Sequence, residues 1–281
     1  VNGGPRALTQ RDFDRFATLS GDHDPIHLDP DRARGQAPGA TVAHGMLLYA
    51  LIGAALSRRV APRLPRGWLP RAQTLAFPGP AYVGDAVAAD AQPAGPPLRY
   101  ATRVRNRRGA SLVDGEALLA DAAGGYPRGR IDDSFARGDL ESDAELLGLA
   151  LGQSASATRA FTDQDLDEYV DLSGDRNPPV ADRDAARAVG LADRMLPGPL
   201  LAAMLSGLLG TRLPGPGAGW VRQRLDFHCA AHPGEPLTAS VTVTRLRRDR
   251  QLASLGCVLS AADGRSVATG EALVLVRRPG R

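Results

Sequence analysis

Two stretches of the chain are apolar almost without interruption: HGMLLYALIGAALSRRV at residues 44–60 and PGPLLAAMLSGLLGTRL at 197–213. Leu, Ala, Met and Ile fill each for about four turns with no charged residue until the end, which predicts a helix buried on nearly every side. A short amphipathic helix is predicted ahead of each, at RDFDRFATLS (11–20) and DQDLDEYVDLS (163–173). Behind them come LRYATRVRN (98–106) and ASLVDGEALLA (110–120) in the first half, and LTASVTVTRLRR (237–248), QLASLGCVLSA (251–261) and SVATGEALVLVRR (266–278) in the second. These alternate apolar and polar positions between Gly, Asp and Pro turns, the mark of half-buried strands. An antiparallel sheet curled around one apolar helix buries both kinds of element, so the expected fold class is α+β, built twice. Residues 125–160, rich in Gly, Asp and Ser, lack a strand period and read as a linker with a short helix at 143–151. The expected domains are therefore 1–124 and 161–281, joined by 125–160.

The halves repeat each other residue by residue. SGDHDPIH (20–27) returns as SGDRNPPV (173–180), with Asp22 and Asp175 standing 153 positions apart. The same offset pairs Pro25 with Pro178, Asp29 with Asp182 and Gly45 with Gly198. After a three-residue deletion an offset of 150 pairs QTLAF (73–77) with QRLDF (223–227), and DGEALLA (114–120) faces TGEALVL (269–275). The second copy keeps Asp175, Asn177, Pro178 and Gly198 but has Val180 where the first has His27, and Pro197 where it has His44.

Composition narrows the classes. A net charge of +3 and pI near 9.2 look basic, but every positive residue is arginine and acids are interspersed throughout. The densest cluster, RVRNRRG at 103–109, has no interleaved aromatics and reads as a solvated strand and turn, so no nucleic acid is expected as partner. Neither a membrane span nor a signal peptide is visible, which makes a cytosolic protein the expectation. Cys229 and Cys257 lack metal-ligand spacing and fall in strand-like segments, as reduced, buried thiols would.

SGDHDPIHLD, followed after a Gly/Pro loop by AHGMLLYALIG, closely resembles the MaoC-like hot-dog family, whose members include (R)-specific enoyl-thioester hydratases and dehydratases. The likeness is strongest over residues 12–56 and extends more loosely over both halves, and duplicated members of the family are called double hot-dogs. It implies two tandem hot-dog domains forming a pseudodimer, with Asp22 and His27 as the catalytic pair of the first. Duplicated relatives often keep the active motif in the C-terminal copy, so its N-terminal placement is a departure. A second departure is Gly53, at a helix position where some hydratases carry a serine; Ser206 holds that place in copy two.

The chemistry follows from the residues as well. Water addition to an enoyl thioester needs acid/base groups for the β-position and α-carbon, and donors for a negative carbonyl oxygen. A carboxylate and an imidazole on one loop, stiffened by Pro25, can grip a water between them. The first amides of the helix opening at HG are unpaired and lie at its positive end, so the Gly45 amide is the expected oxyanion donor. His44 orients the helix start or borders the site, and Asp24 braces the loop. His23 is expected to be exposed, and His228 and His232 are not spaced as metal ligands. The expected activity is hydration or dehydration of a CoA or acyl-carrier-protein thioester, with no cofactor and no metal. A hot-dog thioesterase would place a carboxylate on the central helix, where residues 46–57 have none. A non-catalytic acyl-binding subunit would be expected to lose the motif in both copies. A monomer or a homodimer of pseudodimers would each satisfy the sheet interface.

Overall fold

The computed structural model describes residues 4–34, 39–126 and 142–276. Ten strands form one antiparallel sheet in two halves of like topology. The first half runs β1 (Arg6–Ala7), β3 (Ala86–Gly95), β4 (Arg99–Asn106), β5 (Ser111–Asp121) and β2 (Trp68–Ala76). The second continues with β9 (Gly219–Phe227), β12 (Ser266–Leu275), β11 (Leu252–Ala261), β10 (Pro236–Arg247) and β8 (Ser154–Ala160). The halves meet where β2 pairs with β9, in the register Ala72↔Asp226, Thr74↔Arg224 and Ala76↔Arg222. Thr74 and Arg224 are counterparts at the offset of 150, so a pseudo-twofold axis passes through their pair.

Each half wraps the helix that the apolar runs predict: α4 (Gly45–Val60) in the first copy and α8 (Gly198–Thr211) in the second. Every residue of α4 from Met46 to Ser57 is buried, and the two helices pack on each other inside one continuous core. Helices apolar on nearly every side have no favourable surroundings in water, so the sheet must enclose them. The motif loops follow α1 (Gln10–Ser20) and α5 (Asp163–Ser173). Both helices open on a capping box, at Thr9 with Asp12 and at Thr162 with Asp165, and both close on a left-handed glycine, Gly21 and Gly174. Identical start and stop signals thus aim the two loops alike.

Two expectations need correction. Where a short helix was expected at 143–151, the chain forms a hairpin of β6 (Glu145–Leu146) and β7 (Leu149–Ala150). Leu147 and Gly148 both take positive φ there, the geometry of a type I′ turn. Ser154–Ala160, read as linker, is instead the strand β8, paired with β10 along its length. Residues 127–141 of the expected linker lie outside the described residues. Cys257 is buried in β11, while Cys229 lies past the end of β9 and is half-buried. Among the described residues no helix is long and apolar enough to cross a membrane.

Candidate active site

The first copy's motif loop folds against the start of α4. The Ser20 hydroxyl accepts from the Asp22 amide (3.0 Å), turning the Asp22 side chain inward, where it is buried. Asp24 caps the short helix α2 (Pro25–Leu28), its carboxylate accepting from the Ile26 amide at 3.0 Å, and Pro25 occupies the first turn. That turn carries His27 back toward Asp22, with Nε2 and Oδ2 4.0 Å apart. His27 Nδ1 lies 2.7 Å from the Val42 carbonyl, which can only accept, so Nδ1 donates there and Nε2 is the nitrogen that faces Asp22. Burial pushes the Asp22 carboxyl up from its ordinary value, opposed first by the neighbouring His27 and then by the Ser206 hydroxyl.

His44 completes the floor. Its Nε2 donates to the Asp22 carbonyl at 3.0 Å, and its ring stacks beneath that of His27 with centroids 3.8 Å apart. Complete burial holds its pKa well below the ordinary histidine value, so the ring is neutral and its Nδ1 is left without a partner. Gly45 follows directly as the first residue of α4, and no side chain caps that helix end. A Cβ on Gly45 would lie 2.9 Å from the Phe77 ring, so glycine is required by Phe77 packing on the helix start.

The Asp22 carboxylate is also held from the other copy. Ser206, on α8, donates to Asp22 Oδ2 at 2.9 Å. One turn further along, Gly210 lets the carboxylate approach, since a Cβ there would stand 2.8 Å from Asp22 Oδ1. The arrangement is reciprocal: Ser57 of α4 donates to Asp175, and Gly53 lies against Asp175. Each aspartate therefore meets one serine and one glycine of the opposite helix, in inverted order.

A family model described as MaoC like domain matches residues 2–108. An (R)-specific enoyl-CoA hydratase of Rhodospirillum rubrum is 38% identical over 125 residues, covering 44% of this chain and 86% of the relative. The chain belongs to the MaoC-like family. A second relative, an (R)-specific enoyl-CoA hydratase of Aeromonas caviae, is 36% identical over 45% of this chain and 94% of its own. Among solved structures, a MaoC-like dehydratase superposes with a TM-score of 0.76 over 99% of this chain and 97% of its own, at 14% identity. A Mycobacterium tuberculosis protein described as a double hotdog fold superposes at 0.69 over 98% and 95%, also at 14% identity. Both likenesses are of fold, and they span the whole chain. The MaoC-like chain here is accordingly a double hot-dog.

Of the site residues expected in this MaoC-like chain, Asp22, His27, His44 and Gly45 converge at the start of α4, and Asp24 holds the loop from behind. His23 is exposed. His228 and His232 bond separately, to Thr269 and to the Arg194 carbonyl. Ser206 was not among the expected site residues, because the repeat alone does not say that each helix serves the other copy's loop. Asp22, His27 and His44 bring ligand-type atoms within 4.8 Å of one another. A metal would have to lie about 2.0–2.1 Å from each nitrogen, in the plane of each ring. Stacked rings tilted by only 27° point their lone pairs side by side, so the trio suits a shared water and proton better than an ion.

Removing the Ser206 hydroxyl has a signed consequence. Its hydrogen bond favours the ionised carboxylate, so in Ser206→Ala the Asp22 pKa rises further and the acidic limb of the kcat/KM–pH profile moves to higher pH. With a charged-group hydrogen bond worth about 1.5 kcal/mol, kcat/KM at neutral pH falls about tenfold. A pH profile of wild type and variant measures both effects.

Proposed function

We propose that this chain catalyses reversible addition of water to the 2,3 double bond of an enoyl thioester, giving an (R)-3-hydroxyacyl thioester. The observation that carries the reading is the Asp22–His27 pair, 4.0 Å apart with His27 Nε2 facing the carboxylate, beside the uncapped start of α4. A water about 2.8 Å from both groups fits beside the line that joins them. In hydration its oxygen bonds to C3, one proton leaves it for the pair, and one proton is delivered to C2. Negative charge passes to the thioester oxygen meanwhile, and the Gly45 amide at the positive end of α4 is placed to receive it. Dehydration is the same path reversed. Asp22 and His27 act as a coupled unit, with His44 as the neutral platform beneath. The (R) product and the choice between CoA and carrier-protein thioesters are supported by relatives named (R)-specific enoyl-CoA hydratase and 3-hydroxyacyl-[acyl-carrier-protein] dehydratase.

The first copy, residues 1–124, carries this chemistry, in a cytosolic setting and without metal or other cofactor; a monomer or a dimer of pseudodimers serves equally. The test is loss of enoyl absorbance with crotonyl-CoA, then with longer chains and carrier-protein thioesters. Turnover that persists undiminished in EDTA is expected. A folded protein inert toward every enoyl thioester, yet retaining acyl-CoA, would replace the reading with that of an acyl-binding subunit.

A further inference from the structure

The chain contains its own comparison, because copy two keeps the frame of the site and has filled it. Asp175 accepts from Ser57, from the Tyr169 hydroxyl at 3.1 Å and from the Asn177 amide at 3.0 Å, which leaves its carboxylate committed. Tyr49, reaching across from α4, covers the start of α8: a Cβ on Gly198 would lie 2.7 Å from its hydroxyl oxygen. Trp68 is clamped beside it by the Asn177 side chain, which accepts from the Trp68 amide (3.1 Å) and donates to its carbonyl (2.9 Å). The cavity left among Tyr49, Trp68, Asp175, Asn177 and Val180 measures about 30 Å³, space for water and none for an acyl chain.

At the same places copy one has small residues. The offset of 153 sets Ala202 against Tyr49, and the offset of 150 sets Ala218 against Trp68. Asp24, replacing Asn177, has no amide group to donate, and its carboxylate is taken by Ile26 rather than by the backbone of residue 218. Ala218 also lines a groove of about 720 Å³ between the β6–β7 hairpin and residues 214–218, whose walls include Leu146, Leu149, Pro214 and Val276. The groove's arginine, Arg248, is bonded through Nε to the Glu145 carbonyl, and Gln251 also lines the groove. Resting on the proposed thioester chemistry, we propose that Ala202 and Ala218 form the acyl passage of copy one, leading the substrate's chain from Gly45 past both alanines into this groove. Tyr49 and Trp68 are the pair that closes the equivalent passage in copy two.

The test is to write copy two's residues into copy one, as Ala218→Trp and Ala202→Tyr in the full chain, with thermal melts to confirm folding. In Ala218→Trp, the ratio of kcat/KM for 2-octenoyl-CoA to that for crotonyl-CoA is expected to fall at least about 30-fold. In Ala202→Tyr, beside the reacting end, both fall. Equal loss on both substrates in Ala218→Trp, or no loss on the longer one, overturns the passage. Binding of saturated octanoyl-CoA by calorimetry separates this from the chemistry. Affinity lost in Ala218→Trp but kept in His27→Ala supports the passage even if the wild type hydrates nothing, and affinity unchanged in both alanine variants overturns it. If the wild type neither hydrates 2-octenoyl-CoA nor binds octanoyl-CoA, the passage is likewise overturned.

Discussion

His27→Ala lowers kcat for hydration of crotonyl-CoA by about three orders of magnitude, and Asp22→Asn does the same, while both variants fold and bind acyl thioester. Positioned acid/base groups contribute factors of roughly 10²–10⁴, and the proposed chemistry sets two of them on one water. Because the pair acts as a unit, the double variant is expected to be hardly worse than either single one. Asp175→Asn is the control: its site has Val180 in place of the imidazole, and the amide preserves shape and most hydrogen bonds at a buried position. It should retain wild-type turnover within about twofold. Single-turnover rates with the four variants measure this, and activity that survives in His27→Ala but vanishes in Asp175→Asn would move the chemistry to copy two.

The largest effect on stability is expected at two glycines of the sheet centre, Gly115 and Gly270. A Cβ on Gly115 would sit 2.0 Å from the Thr74 carbonyl oxygen, and one on Gly270 would sit 1.9 Å from that of Arg224. The obstacle is backbone on both sides, beside the β2–β9 seam, so the neighbouring strand must be pushed away and its ladder disturbed. Alanine at either position is expected to cost about 3 kcal/mol, lowering Tm by roughly 6–12 °C for a chain of this size. Calorimetric melts of Gly115→Ala and Gly270→Ala check it, and a shift below one degree would show that the strands separate without cost.

Those glycines were legible as part of the repeat, in DGEALLA and TGEALVL, although their reason was not. The apolar helices, the duplication and the Asp22, His27 and Gly45 constellation could be read directly, because each is a local pattern or a fixed spacing. What stayed hidden depends on distant contacts. Leu147 in a left-handed turn gives a hairpin that its Leu-, Ala- and Glu-rich surroundings present as helical. The strand SASATRA alternates serine with alanine, too weak a contrast to show its period, and takes its order from pairing with β10. Ser206 could have been found only by noticing that Gly53 and Ser57 reappear inverted as Ser206 and Gly210, a swap that makes sense once each helix is known to cross to the other loop.

That crossing bears on how a duplicated gene can diverge. Duplication ordinarily releases one copy from selection, but here neither copy is an independent heritable unit of function. The helix whose Ser206 bonds Asp22 is encoded in the second half, and Tyr49, which covers the start of α8, is encoded in the first. Change in α8 is therefore tied to the first copy's loop, and change in α4 to the second's. Two separated half-genes would regain activity only by finding each other again, which binds the halves into one open reading frame more firmly than the covalent linker does.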